Sequence, residues 1–135
     1  MITAVFDSNV IVSALWSKDG TPAKLLNLVL NNKIKLCYDS CILDEYRSVL
    51  LRPKFGFSIS EVEDLMQFIE TTGYSVIAEP LFVSFIDESD RKFYEVARSI
   101  DALLITGNKK HFPDEQGIFT PAEFMMHIHE KEEDR

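Results

Sequence analysis

Cysteine is scarce in this chain: there are two, Cys37 and Cys41, in 135 residues. A disulfide framework needs more cysteines and an export signal. The C-x3-C spacing also lacks a second Cys or His pair at zinc-like distance, so both are read as reduced thiols near a strand–helix junction. Glycine and proline are few, five of each, which excludes fibrous and low-complexity classes. No apolar run reaches the ~18 residues of a membrane span. The N-terminal MITAVFDSN has no basic region and carries an Asp inside its apolar run, so no signal peptide is expected. A soluble, cytoplasmic protein is the expectation. Basic residues are outnumbered, 14 Lys and Arg against 22 Asp and Glu, for a net charge of −8. Such a field repels polyanions on average and argues against a simple nucleic-acid coat protein. It leaves room for an enzyme whose acids collect a divalent metal, because a bound ion reverses the local sign.

What is present is a 46% hydrophobic chain, enough for one domain with a real core. A single domain over residues 1–130 is expected, with a flexible acidic tail at 131–135. ITAVF, IKLCY, YSVIA, ALLIT and GIFT read as five strands. Between them lie helical segments. Thr21 and Pro22 start one helix, and Asp39 or Ser40 caps another that runs through CILDEYRSVLL. A capping-box pattern, Ser60 to Glu63, opens a third that ends at Gly73. DESDRKFYEVARSI and PAEFMMHIHE complete the set, with a helical turn at Asn108 to His111. Strands alternating with helices imply a parallel sheet covered on both faces, a three-layer α/β/α arrangement with about five strands. Ligands in such sheets gather at the carboxyl ends of the strands.

Asp7 ends the first apolar run, and it reads equally as a helix cap or as chemistry at a strand end. On the helix CILDEYRSVLL, Asp44 points opposite the apolar face and Glu45 lies at its edge. In DESDRKFYEVARSI, Asp90 falls near the apolar face, Glu88 and Glu95 point away, and Asp87 is a natural N-cap. In LLITGN the strand ends at Thr106, Gly107 offers freedom to turn, and Asn108 carries an amide oxygen. Each feature alone has a structural explanation. Together they bring three carboxylates and an amide to one sheet edge if the strands are adjacent. Crowded carboxylates need a cation, and an all-oxygen set suits Mg²⁺ or Mn²⁺.

VFDSNVIVSA, DEYRSVL, DESDRKFYEVARSIDALLITGNKKHFP and IFTPAEFM, in that order, resemble the PIN domain family. The likeness is to the branch of toxin–antitoxin toxins related to VapC ribonucleases. That resemblance implies a PIN-like three-layer fold and a Mg²⁺- or Mn²⁺-dependent endoribonuclease acting on RNA. It also implies a homodimer and a small antitoxin protein as partner. It places the metal and catalytic positions on Asp7, Glu45, Asp90 and Asn108, with Asn9, Thr106 and Asp87 in support. Asn108 departs from the family's TGD segment; the missing charge weakens metal binding and opens an alternative, a catalytically weak or inactive module that binds RNA or protein. Lys109, Lys110 and His111 are expected on the rim as phosphate contacts, with Lys18, Arg52 and Lys54 as weaker candidates; a solvated face explains the KKH run equally well. Asp101 reads as structural. A phosphatase or phosphoacceptor on another doubly wound fold would want a D-x-D after the first strand, which FDSN lacks.

Overall fold

A computed structural model describes residues 1–133. ITAVF, with no charged side chain, forms β1 (Ile2–Phe6) in the middle of the sheet, and Ala4, Val5 and Phe6 are fully buried. Asp7 then breaks the strand and caps α1 (Ser8–Trp16). Pro22 sits in the first turn of α2 (Thr21–Leu30), and the chain returns through β2 (Ile34–Tyr38). The Asp39 carboxylate accepts from the Ile42 N–H at 2.8 Å and starts α3 (Ser40–Leu50). After a 3-10 turn at Pro53–Phe55 come α4 (Ile59–Thr72) and β3 (Tyr74–Ser75). A second 3-10 turn, Glu88–Asp90, leads into α5 (Arg91–Ser99), β4 (Leu103–Ile105), a third turn at Lys109–His111, β5 (Ile118–Phe119) and α6 (Pro121–Glu133).

The strands lie in the order β3-β2-β1-β4-β5 and every pairing is parallel. Ala4 is in register with Leu36 on one side and Leu103 on the other. α5 packs against β1, β2 and β4, while α2 packs on β2, α1 and α6, so helices flank the sheet in three layers. The chain leaves β1 toward β2 and β3, then returns to β4 on the other side of β1. The carboxyl ends of β1 and β4 therefore border the crevice where strand order reverses, the place where open parallel sheets bind ligands.

Several expectations shift locally. The capping box uses Ser58 and Glu61 rather than Ser60 and Glu63: Ser58 Oγ accepts from the Glu61 N–H at 3.1 Å and donates to Glu61 Oε1 at 2.9 Å. Glu63 instead faces Arg47 Nε at 2.7 Å. β3 covers two residues of the expected YSVIA, because its partner β2 ends at Tyr38 and Asp39 turns into α3; the last rung is Val76 N–H to Tyr38 O at 2.7 Å. The segment beyond it is held from α5 instead. The Glu95 carboxylate accepts from the Leu81 N–H at 2.8 Å, and Arg91 donates to the carbonyls of Leu81 and Val83. Glu95 thus faces the protein, against the expectation that it points to solvent. The expected acidic tail at 131–135 begins inside α6, and Asp134 and Arg135 lie outside the described residues.

Gly73 closes α4 where β2 passes. A Cβ there would lie 2.5 Å from the Leu36 carbonyl and 2.7 Å from the Ile69 carbonyl. Gly107 is different: its φ is outside the left-handed region and a Cβ would meet nothing within 4 Å. Its expected turning freedom is not used. The turn after β4 is made by the Asn108 N–H donating to Thr106 Oγ1 at 3.0 Å.

Candidate active site

Asp7 takes both roles open to it. Its Oδ1 accepts from the Val10 N–H at 3.1 Å, capping α1, and its Oδ2 accepts from the Thr106 hydroxyl. Its own N–H continues the ladder to the Ile105 carbonyl at 3.1 Å. The side chain bridges the ends of β1 and β4 and is 4% exposed. Burial pushes its carboxyl from the ordinary 3.8 up to about 6, against the pull of the Thr106 and Val10 hydrogen bonds; Asp90 and Glu45 add repulsion. Beneath it the fully buried Tyr46 donates its hydroxyl to the Phe6 carbonyl and stacks on Phe93, fixing the floor.

α3 presents its acids as the helical spacing requires. Asp44 is 80% exposed and pairs with Arg47 at 3.6 Å, whereas Glu45 is 26% exposed and turns inward. Glu45 Oε2 accepts from the Ser8 hydroxyl and Oε1 lies 2.6 Å from Lys92 Nζ. Asp90 enters at the start of α5. Burial and the neighbouring Asp87 raise its carboxyl above the usual range, while His111, with Nδ1 3.3 Å from Oδ2, and Lys92 draw it down. Asp87 caps the preceding turn, and the Ser89 N–H and hydroxyl hold its carboxyl below the ordinary value.

Asp7, Glu45, Asp87, Asp90, Asn9 and Asn108 line one open cleft of about 570 Å³, with Ser8, Arg52 and His111. Asn9 faces this cleft, but Thr106 and Val10 are the groups that hold Asp7. Of the expected phosphate contacts, His111 and the weaker candidate Arg52 reach the cleft. Lys109 turns away to Glu123 at 3.2 Å, and Lys110 is exposed outside it. Asp101 adopts φ 53° after α5, where its N–H and that of Ala102 donate back to Arg98 and Ala97, so its role is to end the helix. Ser8 and Lys92 join the site without any mark in the sequence pattern. Ser8 follows Asp7 directly, and Lys92 sits two positions after Asp90, but only the tertiary packing brings both to Glu45.

Among the described residues, no three His, Cys, Asp or Glu side chains are already gathered as a metal cage. The donors nevertheless fit a hard divalent ion. They are oxygens, and Asp7 is pushed up by burial with Asp90 and Glu45 adding repulsion, a cost a cation would relieve. Glu45 has a lysine directly on it; Asp7 and Asp90, which have none, could hold such an ion, with Asn108 on the same cleft.

A parallel α/β/α sheet with acids converging at its switch point defines a class of site suited to phosphate chemistry. The chain belongs to the PIN domain family, whose sequence profile matches residues 3–110. PIN domains are generally nucleases that use divalent metals. The chain is 34% identical over 111 residues to the uncharacterized protein MJ1680 of Methanocaldococcus jannaschii, spanning 80% of this chain and 72% of that protein. It shares its fold with a chain of VapBC2 from Rickettsia felis, crystallised bound to a DNA fragment from their promoter. That likeness has a TM-score of 0.56 at 13% identity and covers 88% of this chain and 97% of the other. Among the described residues, no helix is long and apolar enough to cross a membrane.

Proposed function

We propose that this chain is a divalent-metal-dependent endoribonuclease, the toxin of a toxin–antitoxin pair. The observation that carries the reading is the buried Asp7, held by Thr106 across the β1–β4 crevice and raised by that burial, with Asp90 and Glu45 adding repulsion. When bound, Mg²⁺ or Mn²⁺ would neutralise this charge and supply a water acidic enough to attack a phosphodiester.

The chain's own residues divide the remaining work. Thr106 fixes the Asp7 carboxylate in one orientation, and Val10 N–H fixes its other oxygen. Asp90 lines the same cleft from the 3-10 turn that leads into α5 and is oriented by His111. Asn108 offers an amide oxygen without charge. Arg52 and His111, the basic groups lining the cleft, would contact the phosphate backbone of the RNA. The overall charge of −8 suits an antitoxin that presents basic groups, and a homodimer is part of the same family reading.

Labelled single-stranded RNA incubated with the protein in Mn²⁺, Mg²⁺ or EDTA tests the proposal. Cleavage is expected with either ion and none in EDTA or with Asp7→Asn. Cleavage by a clean Asp7→Asn preparation would overturn the mechanism. RNA retention without cleavage in any ion would favour the binding-module reading, which Asn108 suggests.

A further inference from the structure

Glu45 is the acid of the cleft that already has an ammonium on one oxygen and a hydroxyl on the other. Lys92 Nζ stands 2.6 Å from Oε1, and the Ser8 hydroxyl donates to Oε2. The ammonium also donates to the Ser89 carbonyl and lies 5.1 Å from the Phe93 ring centroid. The Lys92 side chain is 20% exposed, so water screens the pair only in part. It does not enter from the acidic cleft. Lys92 borders a shallow depression on the other side, with Cys41, Asp44, Glu88 and Glu95, and Glu45 lies between the two. A cation of the chain's own therefore already sits on one of the acids that a divalent ion would use.

From this arrangement we infer that Lys92 is a resident counter-cation that competes with a divalent ion for Glu45 and keeps the ion's affinity low. The inference rests on reading the cleft as a divalent-ion site. An ammonium against a partly desolvated carboxylate cancels most of its attraction for a second cation and repels that cation as well. Glu45 is thereby a positioning group in the ion-free protein, and Asp7 and Asp90 hold the ion.

The test is Mn²⁺ binding without RNA, read from the loss of the free-ion electron paramagnetic resonance signal. Lys92→Met keeps the aliphatic stem beside Phe93 and removes the charge. It is expected to tighten Mn²⁺ binding by roughly tenfold, a size typical of removing one nearby charge. Lys92→Arg keeps the charge and is expected to stay within about twofold. In a Glu45→Gln background the effect of Lys92→Met is expected to fall to less than half, since the lysine acts through that carboxylate. Circular dichroism establishes that each variant folds, and Lys92→Gln replaces Lys92→Met if the latter does not. Unchanged or weaker binding by Lys92→Met, with the natural protein still binding Mn²⁺, overturns the inference alone. Absence of Mn²⁺ binding in both folded proteins overturns the inference and the ion-site reading together.

Discussion

Thr106 donates its hydroxyl to Asp7 Oδ2, joining residues 99 positions apart. The bond locks the ends of β1 and β4 together and aims the carboxylate into the cleft. It also opposes the burial that raises the Asp7 carboxyl.

Thr106→Val removes that donor at nearly constant shape. The Asp7 carboxyl is expected to rise further, above about 6, and Thr106→Ser to leave it near the natural value. Carbon-13 NMR titration of labelled Asp in EDTA reads this directly. A Thr106→Val carboxyl that titrates at or below the natural one would contradict the role given to the hydroxyl. Stability is expected to fall by about 1–3 kcal/mol, as for other hydrogen bonds to a charged group, because the Asn108 N–H loses its acceptor too.

The raised carboxyl of Asp7 makes stability depend on pH with a definite sign. The folded state holds this proton more tightly than the unfolded chain, so the group favours folding below 3.8 and that contribution disappears as pH rises through about 6. Above that value the ion-free protein carries a penalty of about 3 kcal/mol. Asp7→Asn keeps the cap on Val10 and has no charge to bury. It is expected to be more stable than the natural protein at pH 8 in EDTA, with the difference shrinking toward pH 4. Urea melts at the two pH values measure this; a variant less stable at pH 8 would show that the carboxylate is not strained by its burial.

Asn108→Asp adds a further negative oxygen donor to the cleft, beside Asp7, Glu45, Asp87 and Asp90. Mn²⁺ binding is expected to tighten and RNA cleavage to accelerate by about tenfold or more. A slower Asn108→Asp enzyme that still folds would mean that Asn108 does not face the ion.

Two glycines separate packing from function. Gly73→Ala forces a Cβ into the backbone carbonyls of Leu36 and Ile69 and is expected to cost roughly 3 kcal/mol. Gly107→Ala meets nothing and is expected to change stability by about 0.5 kcal/mol or less. Thermal melts of the two variants side by side decide the point; equal losses would contradict the packing described.

Much of this site is legible in the amino-acid sequence. Asp7 stands out because a carboxylate ends an apolar run, and Glu45 because helical spacing puts it beside Ile42 and Val49 while Asp44 faces water. Asp90 is legible for the same reason. What stays hidden depends on contacts between distant segments. Ser8 and Lys92 have no periodicity that marks them, and they meet only because α1 and α5 converge on α3. Glu95 reads as solvated from its own helix, but the segment after β3 folds over it to satisfy backbone N–H groups that have no strand partner. The capping box is ambiguous in the chain itself, since Ser58 to Glu61 and Ser60 to Glu63 share one spacing. Arg47 draws Glu63 into an ion pair across to α3 and leaves the first pair to cap.

A divalent-ion site built on Asp7 is checked most sharply by thermal melting at pH 8, with and without millimolar Mn²⁺, on the natural protein and Asp7→Asn. Mn²⁺ is expected to raise the midpoint of the natural protein by several degrees and to leave Asp7→Asn unchanged. The variant in EDTA is expected to melt above the natural protein in EDTA. Equal shifts in both proteins, or no shift in either, would contradict such a site.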